Sequence, residues 1–194
     1  MKIGVFGGTF NPIHLGHTLG AAHVMKELAL DQVLFVPVKN PVHKELDGNT
    51  SPEERFEMLK LAIKHVPAFS IETIELERDE PSYTIYTLQA LNKKYPESKL
   101  YLIIGTDSFN SLDSWLDHGA IYDLALIAVM RRVGDEPLRD DLIHQIPGLV
   151  RVNNELIDIS SSLVRQHARS GLPLDGLVSD SVAEYIKNKG LYLK

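Results

Sequence analysis

Two histidines three positions apart, His14 and His17, close an eleven-residue string: Gly7-Gly8-Thr9-Phe10-Asn11-Pro12-Ile13-His14-Leu15-Gly16-His17. The string follows a short apolar run, Ile3–Phe6, and opens a stretch with helical spacing. The Gly7-Gly8 pair permits a tight turn and a close approach of backbone to a ligand. Free backbone N–H groups there, with a helix N-terminus, make a cradle for phosphate. On one helical turn His14 and His17 share a face, and Gly16 between them leaves room for a bulky ligand. Imidazoles beside a phosphate can donate hydrogen bonds to charge developing on phosphorus oxygens. The same residues also fit a plain glycine turn with two internally satisfied histidines, or half of a zinc site. A third and fourth zinc ligand at suitable spacing is not evident.

A second cluster is Ile159-Ser160-Ser161-Ser162-Leu163-Val164-Arg165. It reads as a serine-rich cap opening a helix, with Arg165 one turn in. Hydroxyls, free N–H groups and a guanidinium could face one anion there. Alone, it is an ordinary capped helix. Gly105 and Asp107 fall just past a strand end, where a carboxylate can bond a ribose hydroxyl or simply cap a helix. Lys44 sits on a polar loop. Trp115 is the single tryptophan, and a lone aromatic of this kind is ordinarily a packing residue.

These residues need a frame. Strands are expected at Ile3–Phe6, Gln32–Val38, Ser70–Glu77, Leu100–Ile104, Ala125–Met130 and, more weakly, Val150–Val152. Helices are expected at His17–Leu30, Pro52–Val66, Tyr83–Lys94, Ser161–Arg169 and Ser179–Lys187. Ser51-Pro52-Glu53-Glu54 is a strong helix start, and Phe56, Leu59, Ile63 and Val66 mark that helix's buried stripe. Asn40–Ser51 and Val133–Gly148 read as irregular surface loops. The alternation predicts one α/β domain over residues 1–194, a Rossmann-like, doubly wound parallel sheet with C-terminal helices. In such sheets ligands sit beyond the carboxyl ends of the strands, at the switch point.

Composition narrows the partners. The chain has 194 residues, 44% hydrophobic and 24% charged, as a soluble globular protein does. Twenty Lys and Arg against 26 Asp and Glu leave a net charge of −6. That balance argues against binding nucleic acid or an anionic membrane through bulk charge. There are no cysteines, which excludes disulfides, thiolate metal sites and cysteine nucleophiles. The first apolar run is too short for a secretion signal or a membrane span, so the expected location is cytoplasmic. Assembly into a homo-oligomer is left open.

The first string resembles the signature of the HxGH nucleotidyltransferase superfamily, and Ile159–Arg165 resembles its ISSTxxR motif, with Ser162 in place of threonine. Asn40-Pro41-Val42-His43-Lys44, Pro81-Ser82-Tyr83-Thr84 and Ile103-Ile104-Gly105-Thr106-Asp107 followed by Trp115 resemble segments of bacterial nicotinate-mononucleotide adenylyltransferases. So does the Gly190-Leu191-Tyr192 ending, and the likeness spans essentially the whole chain. The resemblance implies that nicotinate mononucleotide attacks the α-phosphorus of ATP. The products are nicotinate adenine dinucleotide (deamido-NAD) and pyrophosphate, with Mg2+ accompanying the ATP and no metal held by the protein alone.

The resemblance also implies roles. His14, His17, Lys44 and Arg165 are the expected catalytic set. Gly7, Gly8, Thr9, Phe10, Gly105, Asp107, Arg132, Ser160 and Ser161 are expected to bind ATP. Trp115 is expected to stack on the pyridine ring, with Thr84 and the backbone near Leu116 receiving the carboxylate. His23, His65, His118, His144 and His167 show no partner pattern and are expected to be structural or surface residues. The competing readings are another HxGH adenylyltransferase, a non-catalytic nucleotide-binding module, and an RNA-binding relative, the last disfavoured by the acidic balance.

Overall fold

In the computed structural model, which describes residues 1–39, 41, 50–131, 133–153 and 157–193, strands and helices alternate along the chain. The strands are β1 (Lys2–Gly8), β2 (Gln32–Pro37), β3 (Phe69–Ile71), β4 (Lys99–Gly105), β5 (Ala125–Met130) and β6 (Val150–Arg151). The helices are α1 (Leu15–Leu28), α2 (Pro52–Ile63), α3 (Thr84–Lys94), α4 (Thr106–Asn110), α5 (His118–Leu124), α6 (Asp140–Gln145), α7 (Ser161–Arg169) and α8 (Asp180–Lys189). The strands form one sheet in the order β3-β2-β1-β4-β5-β6, and every neighbouring pair is parallel. This is the doubly wound order of dinucleotide-binding sheets, with its direction reversing between β1 and β4.

The period-two pattern of each strand explains why both faces are covered. Ile3 and Val5 of β1, Leu34 and Val36 of β2, and Leu102 and Ile104 of β4 join one core with Ile85, Leu88, Leu91 and Phe109. Phe6, Phe35 and Ile103 point the other way, into a core with Met58, Leu59, Val164, Val182 and Tyr192. The C-terminal helices therefore cover the sheet face that carries the first string, and this placement builds the site. No helix among the described residues is long and apolar enough to cross a membrane.

Three expectations need correction. The alternation over Ser70–Glu77 yields only the three residues of β3, an edge strand whose ladder with β2 spans Val33–Phe35. Beyond it the chain turns, with the Leu76 and Glu77 N–H groups both donating to the Thr73 carbonyl. Val133–Gly148 is not wholly irregular: α6 forms there, with Asp140 and Asp141 in its first turn and Leu142 buried. In α2 the fully buried side chains include Arg55 and Met58, whereas Phe56 is only partly buried.

Candidate active site

A cleft of about 420 Å³ opens at the carboxyl ends of β1 and β4, a volume suited to a nucleotide-sized ligand. Gly7 and Gly8 at the end of β1 and Gly105 at the end of β4 form its floor-side lining. It lies where the strand order reverses, as expected from the topology.

The string from Thr9 to His17 is braced by elements distant in sequence. Phe10 adopts a left-handed backbone (φ 45°), and its ring packs between Phe6, Phe35 and His17. A Cβ on Gly8 would stand 3.0 Å from the Phe10 ring, so the close turn requires glycine there. The Ser51–Glu54 capping box starts α2 with reciprocal bonds of 2.9 and 3.2 Å. That helix delivers the Arg55 guanidinium beneath the string, where it donates to the carbonyls of Thr9 (2.8 Å) and Val38 (2.6 Å). Arg55 has no exposed surface, and burial pulls its pKa below the ordinary arginine value.

From the other end of the chain, the Tyr192 hydroxyl donates to Asn11 Oδ1 at 2.7 Å. Burial pushes that phenol's pKa up to about 12, so it remains a donor at ordinary pH. Arg165 Nη1 donates to the Asn11 carbonyl (2.8 Å) and Ser161 Oγ to the Pro12 carbonyl (3.0 Å). The Leu15 N–H, in the first turn of α1, donates to the Leu177 carbonyl at 2.8 Å.

His14 is the N-cap of α1, with extended backbone angles, and His17 is the third residue of the helix. Their rings lie 3.6 Å apart between centroids, tilted by 32°. The His14 backbone N–H donates to His17 Nδ1 at 3.3 Å. An Nδ1 that accepts has no proton, so the neutral ring carries its proton on Nε2. Both histidines line the cleft. Gly16 has a different use from the one expected: a Cβ there would meet the His14 ring at 3.0 Å and the Ile159 carbonyl at 3.3 Å. The space belongs to the histidine itself and to the approach of α7.

The α7 N-terminus borders the cleft beside the histidines. Ser160 caps it, its Oγ accepting from the Leu163 N–H at 3.1 Å. Ser160, Ser161, Ser162 and Arg165 all line the cleft, so hydroxyls and a guanidinium converge beside the two imidazoles. At the far end stand Tyr83 (the α3 N-cap), Thr84, and Trp115 and Leu116, which follow a single 3-10 turn at Leu112–Ser114. Trp115 is half-buried against the core that holds Ile85 and Phe109, yet still faces the cleft.

Most of the expected site residues thus meet in one cleft. Asp107 does not line it; this residue is exposed in the first turn of α4, between Gly105 and Ser108, which do. Lys44 and Arg132 lie outside the described residues. Among the described residues no group of three His, Asp or Glu side chains converges as a metal cage.

The structure adds cleft residues to which sequence reasoning gave no role: Asn11, Glu75, Ser82 and Thr87. It also adds Arg55 beneath the cleft. A signal for Arg55 was available, since it leads the buried Met58 and Leu59 by three and four positions and so places a charge on an apolar stripe. Glu75, flanked by Ile74 and Leu76, carried no such signal.

Residues 5–167 match the model of the cytidylyltransferase-like family. A Borreliella burgdorferi protein named "probable nicotinate-nucleotide adenylyltransferase" is 37% identical over 194 residues, covering 100% of this chain and 98% of its own. A Dehalococcoides mccartyi protein of the same name is 39% identical, covering 99% and 97%. Among solved structures, the Plasmodium falciparum nicotinic acid mononucleotide adenylyltransferase complexed with NaAD superposes with a TM-score of 0.82 at 19% identity, over 98% of this chain and 97% of that one. At that identity the superposition speaks for the fold.

Proposed function

The chain belongs to the cytidylyltransferase-like family and, within it, to the nicotinate-nucleotide adenylyltransferases, and we propose that the cleft between β1 and β4 performs their reaction with the residues described above. It joins ATP and nicotinate mononucleotide into nicotinate adenine dinucleotide with release of pyrophosphate, a step of NAD biosynthesis. An oxygen of the mononucleotide phosphate forms the new bond to the α-phosphorus of ATP. The bond from that phosphorus to the bridging oxygen of pyrophosphate breaks. The attacking phosphate is already anionic, so no side chain has to remove a proton. The protein's task is to position two anions in line and to stabilise charge on the transferring group.

The observation that carries this reading is the polarity of the cleft. One end offers His14, His17, the α7 hydroxyls and Arg165; the other offers Thr84, Tyr83 and Trp115. The His17 Nε2–H and His14 would donate to oxygens of the α-phosphoryl group. The Gly7–Phe10 backbone, Ser160, Ser161 and Arg165 would hold the β- and γ-phosphates and the leaving pyrophosphate. Thr84, Trp115 and the Leu116 backbone would take the nicotinate moiety. Lys44 and Arg132 complete the proposed phosphate contacts, and Asp107 a ribose contact.

The donors present are amide and hydroxyl hydrogens, imidazoles and a guanidinium, which suit phosphate oxygens. Mg2+ would therefore enter bound to the ATP phosphates, neutralising part of their charge. The test is turnover of ATP with nicotinate mononucleotide, followed by pyrophosphate release and by formation of the dinucleotide. Absence of the dinucleotide would refute the reading, and equal rates with nicotinamide mononucleotide would refute its preference for the acid.

A further inference from the structure

One buried acid in the cleft has no part in the chemistry above. Glu75 is 5% exposed and lines the cleft at the end that holds Thr84 and Trp115. Its Oε1 accepts from the Thr87 hydroxyl at 2.6 Å. That direction is set one step back, because Arg78 Nη2 donates to the same hydroxyl oxygen at 2.9 Å, leaving the Thr87 hydrogen for Glu75. Glu75 Oε2 and the Ser82 hydroxyl are buried beside each other, and neither has a well-formed hydrogen bond to any other described residue. A buried carboxyl–hydroxyl pair with unused bonding capacity, facing a cleft, is uncommon in folded proteins and calls for a ligand or a function.

We propose that Glu75 is a specificity-determining residue: its Oε2, with the Ser82 hydroxyl, meets the acyl substituent of the pyridine ring and favours a carboxylate over a carboxamide. This rests on the assignment of the Thr84–Trp115 end to the pyridine nucleotide.

The chemistry is one of proton placement. A nicotinate carboxylate only accepts, so it needs donors. Oε1 is already occupied by an incoming hydrogen, so a protonated Glu75 carries its proton on Oε2 and presents an O–H donor. Burial raises the Glu75 pKa, while the Thr87 and Ser82 hydroxyls and the Arg78 guanidinium, the one charged group acting on it among the described residues, pull it back down. The neutral acid donates to a carboxylate. The ionised acid repels a carboxylate and accepts from a carboxamide N–H instead. The choice between the two substrates thus depends on one proton.

The experiment measures kcat/KM for nicotinate and nicotinamide mononucleotides, with saturating ATP, from about pH 5 to about pH 9, a span reaching well above the ordinary carboxylate range. The two substrates share their phosphate, so the ratio cancels its titration. In the native protein the ratio of acid to amide falls at least about tenfold across the series, roughly the effect of one like-charge contact. In Glu75→Gln, whose amide N–H cannot ionise away, the ratio is flat. The native profile needs no variant, and a thermal melt confirms that Glu75→Gln is folded. A flat native ratio, or the same falling ratio in both proteins, overturns the role of Glu75 while leaving the adenylyl transfer intact. No dinucleotide from nicotinate mononucleotide at any pH would instead overturn the functional reading itself.

Discussion

The backbone N–H of His14 points at Nδ1 of His17, and the two imidazoles overlap with centroids 3.6 Å apart and planes tilted by 32°. The contact selects the tautomer of His17 and aims its Nε2–H away from the helix. A helix cap and the proposed hydrogen-bond donor for phosphate are thereby built from the same three-residue step.

Replacing His17 by alanine removes that donor while leaving the fold of α1 in place. We expect kcat to fall by about a hundredfold to a thousandfold, the scale of one lost transition-state donor, with a smaller change in the KM for ATP. Steady-state kinetics of pyrophosphate release measure it, and an unchanged kcat would remove His17 from the reaction.

Arg55 holds the Thr9 and Val38 carbonyls from below. Methionine fills much of its volume but leaves these buried acceptors without a donor, at about 1–3 kcal/mol each. Arg55→Met should therefore lose several kcal/mol in urea unfolding. Arg55→Lys, a point charge rather than a fork, should recover only part of that loss.

Tyr192→Phe removes the bond to Asn11 Oδ1 and the contact of the same hydroxyl with Thr50. The expected loss of stability is about 1–3 kcal/mol, the net worth of one or two buried hydrogen bonds. The Asn11–Pro12 segment also receives bonds from Arg165 and Ser161, so kcat/KM for ATP should fall only severalfold. Thermal melting and ATP saturation curves test both halves.

Glu75 also gives stability a pH dependence. Burial raises its pKa in the folded protein, so folding favours the protonated acid. The associated stability is fully present below the unfolded-state pKa and is lost as pH rises through the folded-state value. Glu75→Gln has no such loss. The melting temperature of the variant relative to the native protein should therefore rise with pH across that window, and parallel curves would contradict it.

Much of this was legible in the residues. The β-α alternation and the Gly7–His17 string located the switch-point cleft, because strand ends and glycine turns are local features. The Ser160–Arg165 cluster was legible as a capped helix, but its seat against Pro12 and Asn11 was not. What stayed hidden depends on contacts between distant segments. Nothing near Asn11 announces Tyr192, 181 positions away. The pattern over Ser70–Glu77 could not reveal that its edge strand ends after three residues, and so could not place Glu75 inside the cleft.

The bracing of Asn11 and Pro12 comes from Ser161, Arg165 and Tyr192. Contacts separated by about 150 residues or more join the two ends of the chain, and their loop-closure entropy is among the largest in the fold. A chain whose C-terminal helices are undocked can keep most of its sheet and still lack the bracing of its cleft. Integrity of the cleft is then coupled to the docking of the last helices.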